Sequence, residues 1–375
     1  MAARRLKVLD LACCKNLKCT PDLSDFIKLE ILILKGCQRL EQVHASIGEV
    51  KSLVYLDLSG CGSLKELPGE VVELKELKEL ILDSSGITEI PMSIGSLRKL
   101  EKLSARACRS LREICSSIWD LQNLRYLDIS ESVIEKLPSV SGRLKKPDLM
   151  TFTELEIILK DCYRLEQVIP SIGKVKSLVS LDLSGCGCLK KLPEEVGELE
   201  ELKELILDSA SITEIPTSIG FLRKLEKLSA RGCRSLREMP RSIGNLQNLQ
   251  HLDISDSAIE KLPSAIGRLK KLRRLGLESC CSLKGEIPSE IGDLSSLEIL
   301  QLSGASISGL PASIQNLSSL QDLSLEGCNE LRSLPELPSG LKFLRISSQS
   351  PRLPRGFCPM YLETLDVSWT RSCST

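Results

Sequence analysis

Histidine is almost missing from this chain: two in 375 residues, His44 and His251, far apart. A Ser-His-Asp or Cys-His arrangement would have to use one of them, and neither lies in a motif that would support it. No C-x-x-C pair occurs, and Cys13-Cys14, Cys186-Gly187-Cys188 and Cys280-Cys281 lack the spacing and the histidines of a zinc site. No Gly-x-x-x-x-Gly-Lys-Ser/Thr phosphate loop is present. The sequence therefore reads as non-enzymatic, with no cofactor and no metal. Charge of one sign is lacking too, since Lys+Arg and Asp+Glu both number 50. That balance argues against nucleic acid or an anionic membrane as principal partner. No run of 18 apolar residues exists, so no membrane span is expected. Met1-Ala2-Ala3-Arg4-Arg5 leads straight into patterned sequence, without the apolar stretch of a signal peptide.

What is abundant is leucine at one spacing, L-x-x-L-x-L, returning roughly every 24 residues. Leu29-Leu32-Leu34, Leu53-Leu56-Leu58 and Leu77-Leu80-Leu82 are early copies; Leu297-Leu300-Leu302 and Leu320-Leu323-Leu325 are late ones. A degraded copy, Leu155-Ile157-Leu159, brings the total to about 16. The first half of each unit should be a short strand with its leucines inward. The second half reads L-P-x-x-I-G-x-L, as in Ile90 to Leu97, where Pro and the Ile/Leu spacing predict a short helical or 3-10 segment. A single unit cannot bury its own apolar face, so stability is a sum over neighbouring units. Heptads would space leucines by seven, and helical repeats are longer. The fold class is thus an α/β repeat solenoid: a leucine-rich-repeat horseshoe of about 16 repeats, with a parallel concave β-sheet and short helical or 3-10 segments on the convex side.

Nine of the 16 cysteines fall three residues past the last leucine of a triplet: Cys14, Cys37, Cys61, Cys108, Cys162, Cys186, Cys233, Cys280 and Cys328. Elsewhere that position is Ser or Ala, as at Ser85, Ser132, Ala210, Ser257 and Ala305. Here the strand turns away, and backbone groups need a nearby partner. With no cysteine-rich capping modules, the chain reads as reduced and cytoplasmic or nucleo-cytoplasmic. One sequon, Asn316-Leu317-Ser318, points the other way.

The repeats contain a duplication. Residues 37–146 align with 162–271 at an offset of 125, with about 84 of 110 positions identical. The match extends upstream, Pro21-Asp22-Leu23 returning as Pro147-Asp148-Leu149. One domain, 1–375, is expected, built from copies 21–146 and 147–271 and C-terminal repeats 272–375. The junction is irregular, because Lys146 runs directly into Pro147 while its twin Lys271 runs into a complete strand at Leu272. The stretch 139–154 should be the least protected interior part. Copy one also departs from copy two at Val72 for Gly197, Cys115 for Pro240, Trp119 for Gly244 and Ser141 for Ile266.

Two repeat flavours alternate, Leu58-Ser59-Gly60-Cys61 through Leu67-Pro68, and Leu82-Asp83 through Glu89-Ile90-Pro91. This alternation resembles the repeat region of plant intracellular immune receptors, the Toll/interleukin-receptor-type nucleotide-binding leucine-rich-repeat proteins. Gly285 to Leu297 and the closing Leu331-Arg332-Ser333-Leu334-Pro335-Glu336-Leu337-Pro338 strengthen the likeness. The resemblance implies a sensor for a pathogen-derived or guarded host protein, one that also restrains a nucleotide-binding switch domain in cis or in trans. It covers only the repeat region of that family. Strand sequence begins almost at residue 1 and only eight residues follow Val367, without cap sequences, so a fragment of a longer receptor is expected. The alternative is that Met1 to Arg5 and Trp369 fold over the ends. Two other readings stay open: a stand-alone intracellular scaffold and a cell-surface receptor ectodomain.

A protein ligand is expected on the concave face, to which the residues between the leucines point. Interface hot spots favour Tyr, Trp and Arg, and aromatics are only 3% of this chain. The candidate binding residues are Tyr55, Asp57, Lys102, Arg106, Tyr126 and Asp128 in the first copy. Lys227, Arg231, His251 and Arg274 follow, then Phe343 and Arg345. Lys102 and Lys227 are candidates to meet acidic partner groups.

Overall fold

The computed structural model describes residues 5–140, 154–347 and 362–368. It separates into two compact units, Met1–Cys188 and Leu189–Thr375. The first unit holds eight parallel strands: β1 (Val8–Asp10), β2 (Ile31–Ile33), β3 (Tyr55–Asp57), β4 (Glu79–Ile81), β5 (Lys102–Ser104), β6 (Tyr126–Asp128), β7 (Leu155–Ile158) and β8 (Leu178–Asp182). The second continues with β9 (Glu204–Ile206), β10 (Lys227–Ser229), β11 (His251–Asp253), β12 (Arg274–Gly276) and a two-residue strand β13 (Gly285–Glu286). It ends with β14 (Ile299–Gln301), β15 (Ile307–Gly309), β16 (Asp322–Leu325), β17 (Phe343–Ser347) and β18 (Thr364–Ser368). Among the described residues β13 and β15 stand apart, as a separate two-stranded ladder. One strand per leucine triplet gives the 16 repeats that the spacing predicts.

Each strand is short because its residues serve two faces. The leucine at its centre, Leu32, Leu56, Leu80, Leu103 or Leu127, is fully buried, and its neighbours point to the opposite, open face. Register is in phase from β3 to β6, where Tyr55 pairs with Glu79, Glu79 with Lys102 and Lys102 with Tyr126, and it shifts between Leu155 and Glu156 in the β7–β8 pair. Identical positions of successive repeats therefore form columns across the sheet.

Two residues past the third leucine the backbone enters the left-handed region, at Gly36 (φ 73°), Gly60 (71°) and Gly232 (72°), but also at Ser84 (55°) and Asp256 (56°). This conformation aims the residue's N–H at the next repeat. Gly60 N donates to Asp83 O (2.7 Å) and Ser84 N to Arg106 O (2.7 Å). The parallel ladder is thereby prolonged beyond the strands.

The other side of eleven repeats among the described residues is a five-residue 3-10 segment, most of them preceded by Pro. No α-helix occurs among the described residues. The glycine of the S-I-G motif lets these segments stack closely. A Cβ on Gly220 would lie 2.7 Å from Ser242 O, and one on Gly244 2.5 Å from Ala265 O. Trp119, which replaces that glycine in the first copy, is instead buried, and its indole N–H donates to Pro138 O at 3.0 Å. The predicted irregular stretch 139–154 falls mainly on 141–153, outside the described residues, as do Met1 to Arg4 and Trp369.

Candidate protein-binding surface

Outward-pointing strand residues form the candidate surface, and their surroundings divide them into two kinds. Aspartates hold the exits of the strands. Asp57 Oδ1 accepts from Ser59 N (2.8 Å), and Asp128 Oδ1 from Ser130 N (2.9 Å) and Ser130 Oγ (2.6 Å). Both carboxylates are nearly buried, Asp57 7% and Asp128 8% exposed. Asp83 and Asp208 act alike across a strand gap, accepting from Arg106 N and Arg231 N (2.9 Å each). Asp57 and Asp128 are therefore already committed to ordering their own turns, a task that a D-x-S pattern announces in the sequence.

Larger side chains stand above them. The phenol of Tyr55 donates to Asp57 Oδ2 (3.4 Å) and that of Tyr126 to Asp128 Oδ2 (3.2 Å). Partial burial, then the adjoining Asp128 carboxylate, pushes the Tyr126 phenol up to about 12. Burial followed by Asp57 and Glu79 raises that of Tyr55. Lys102 Nζ sits 5.3 Å over the Tyr126 ring, within cation–π range. Lys227 Nζ lies 3.8 Å from Glu204 instead. Neither lysine is unengaged, so the direct pairing with acidic partner groups expected of them competes with contacts already made.

Arg106 reaches Glu131 Oε1 through Nε (2.9 Å) and an Nη (2.7 Å), and Arg231 Nε lies 3.3 Å from Asp256. Both pairs are well exposed and hold the side chains loosely. Arg274 donates to Gln301 Oε1 (2.6 Å), Arg345 pairs with Asp322 (2.7 Å), His251 is exposed and Phe343 half-buried. The structure places Tyr55 and Asp57 on β3, Lys102 on β5, Arg106 in the turn after β5, and Tyr126 and Asp128 on β6, all in the first unit. In the second unit Lys227, Arg231, His251 and Arg274 share β10–β12 and the turn after β10, whereas Phe343 and Arg345 lie on β17.

The bend cysteines complete the chemistry. Among the described residues eight of the nine are at most 1% exposed, and only Cys14, in the first turn, is open. Their thiols donate to the third-leucine carbonyl one repeat earlier, as in Cys61 to Leu34 (3.2 Å) and Cys233 to Leu207 (3.0 Å). Burial pushes Cys61 and Cys233 up to about 12, so they stay neutral donors. No cluster of three or more His, Cys, Asp or Glu fit for a metal occurs among the described residues, and no helix there is long and apolar enough to cross a membrane.

The family model of leucine-rich repeat regions matches residues 5–137 and 231–298, more than half of the chain. The chain belongs to the leucine-rich-repeat proteins. Solved leucine-rich-repeat structures agree with this. An LRR protein of Leptospira interrogans is 27% identical, with 91% of each chain covered and a TM-score of 0.69. A TDR receptor is 19% identical over 98% of this chain and 68% of its own (TM-score 0.56), and an internalin of Listeria monocytogenes 19% over 88% and 87% (0.54). At that identity the last two share the fold alone. No curated protein matches the chain. Leucine-rich-repeat domains are in general binding modules, in which stacked repeats display one extended surface.

Proposed function

We propose that this chain is a non-enzymatic protein-recognition module, the sensor arm of a plant intracellular immune receptor of the Toll/interleukin-receptor type. In this reading the open face of the sheet engages a pathogen-derived or guarded host protein. The same repeats restrain a nucleotide-binding switch domain, joined in cis or held in trans, until that engagement occurs. The observation that carries the binding role is the open face itself. Its aspartates are spent on the backbone, while Tyr55 and Tyr126 stand above them, partly exposed, and Arg106 and Arg231 are held loosely in exposed pairs. Tyr and Arg in such settings dominate interface energetics. The alternation of the two repeat flavours supports the immune context.

Cross-linking of the tagged chain in plant tissue, followed by affinity measurement with the recovered partner, tests this reading. Replacing Tyr126 and Arg106 together by Ala should abolish binding while the thermal unfolding of the array stays within a few degrees. Unchanged affinity would move the site off this face. Recovery of a nucleotide-binding switch protein would support the immune-sensor role, and recovery of signalling enzymes alone would favour a scaffold.

A further inference from the structure

The duplication supplies an internal comparison for the open face. Strands β3–β6 and the turns leaving them present twelve outward positions, and ten carry the same residue in the second copy. The two that differ are Tyr55, replaced by Ser180, and Tyr126, replaced by His251. Core and turn residues are duplicated on both sides, so the architecture does not require either ring. The tyrosines are what distinguish the first copy's face from the second's.

Their placement is specific. Tyr55, Glu79, Lys102 and Tyr126 are register partners on consecutive strands, so the rings stand three strand spacings apart, about 14 Å. Each phenol is tied to the aspartate two residues on, which fixes the ring's direction. Between them lie Glu79, Ile81 and Asp83, all part-exposed, on β4 and the turn after it, and Lys102, Ser104 and Arg106 on β5 and the turn after it. Among the described residues neither Glu79 nor Asp83 has a cationic side chain within salt-bridge distance. Of the two cations on these strands and turns, Lys102 is over Tyr126 and Arg106 is held by Glu131. Asp57, Glu79, Asp83 and Asp128 leave the strip between the rings acidic.

We propose that β3–β6 form a docking strip for an extended, basic segment of a partner protein, held between Tyr55 and Tyr126. This rests on the protein-recognition reading above and names the chemistry of the partner. An extended chain advances about 3.3 Å per residue, so side chains at i and i+4 lie about 13 Å apart on one side. Those two positions meet the two rings with aliphatic or guanidinium groups. The side chain at i+2 falls between them, at the β4–β5 gap, where it turns toward Glu79 and Asp83 and away from Lys102, which is drawn over Tyr126, and is Lys or Arg. Polyanions and acidic segments meet like charge there.

The test uses the full chain and two fluorescent nine-residue peptides, with Leu at i and i+4 and either Arg or Glu at i+2. Anisotropy should show the Arg peptide binding, weakening as salt rises from low to 0.5 M, and the Glu peptide failing to bind. Tyr55→Ser and Tyr126→His, the residues that the second copy carries, should each lower affinity by about tenfold or more with an unchanged melting profile. Equal binding of both peptides, binding of neither, or full affinity in both variants overturns the strip. Loss of a recovered partner in a Phe343→Ala/Arg345→Ala chain, but not in the Tyr55→Ser/Tyr126→His chain, overturns the strip while leaving the recognition reading intact.

Discussion

The thiol of Cys108 donates to the carbonyl of Leu82, 3.0 Å away in the preceding repeat, and Ser85 Oγ lies 3.4 Å from the same sulfur. The turn's own N–H, from Ser85, already reaches this carbonyl at 3.0 Å, and the next repeat's thiol supplies a second donor to it. The same contact recurs from Cys37 to Leu11 and from Cys328 to Leu302. Neighbouring repeats are thus joined by polar contacts at the bend as well as by leucine packing.

Removing one such donor should be costly for so small a group. Cys233→Ala removes the second donor to Leu207 O, which keeps Ala210 N at 3.0 Å, and should lower stability by about 0.5–1.5 kcal/mol in urea denaturation. Cys233→Ser should cost less, because Ser85, Ser132 and Ser257 already occupy equivalent bends.

The same thiols set a sign for pH dependence. Folding raises Cys61 and Cys233 from the ordinary 9.0 to about 12, chiefly by burial. Between those values the folded state keeps protons that the unfolded state has lost. Their contribution is therefore complete below about pH 9 and declines as pH rises toward 12. Unfolding free energy measured from pH 8 to 11 should fall, and fall less steeply in a Cys61→Ser/Cys233→Ser chain. At pH 8 a thiol reagent should modify the exposed Cys13, Cys14, Cys19, Cys188 and Cys281 and spare the buried bend cysteines.

The stacked 3-10 segments predict a difference between the copies. Gly220→Ala places a Cβ 2.7 Å from Ser242 O, against backbone that cannot move alone, and should cost about 1–3 kcal/mol. Trp119→Ala in the first copy should cost about 3–5 kcal/mol, since its ring fills the space and its N–H holds Pro138 O. Thermal unfolding of the two variants checks both.

Surface ion pairs should matter little to stability. Arg106 and Glu131 are 59% and 36% exposed, so Glu131→Gln should change unfolding free energy by at most about 1 kcal/mol. Asp83→Ala, which leaves Arg106 N and Ser104 Oγ without an acceptor, should cost more.

The leucine triplets made strand positions legible because a period-two alternation inside a fixed repeat leaves one choice of inward face. Bend cysteines were equally legible as partners for backbone. What alternation cannot say is whether an outward side chain is free. Asp57 and Asp128 point outward as their positions require, yet their carboxylates are committed to the turn two residues on. Lys102 was legible as an outward cation, but its seat over Tyr126 depends on cross-strand register. The left-handed turns were announced by glycine at Gly60 and Gly185. At Ser84 and Asp256 they are imposed by the hydrogen bonds of the stack, which a single repeat's sequence does not display.

The most direct test of protein recognition through the open strand face is hydroxyl-radical footprinting of the full chain with and without its recovered partner. The account predicts that oxidation of Tyr55 and Tyr126 is suppressed by the partner while that of Tyr163 and Phe221, exposed away from the strands, is unchanged. Protection of Tyr163 or Phe221 with undiminished oxidation of Tyr55 and Tyr126 would contradict it.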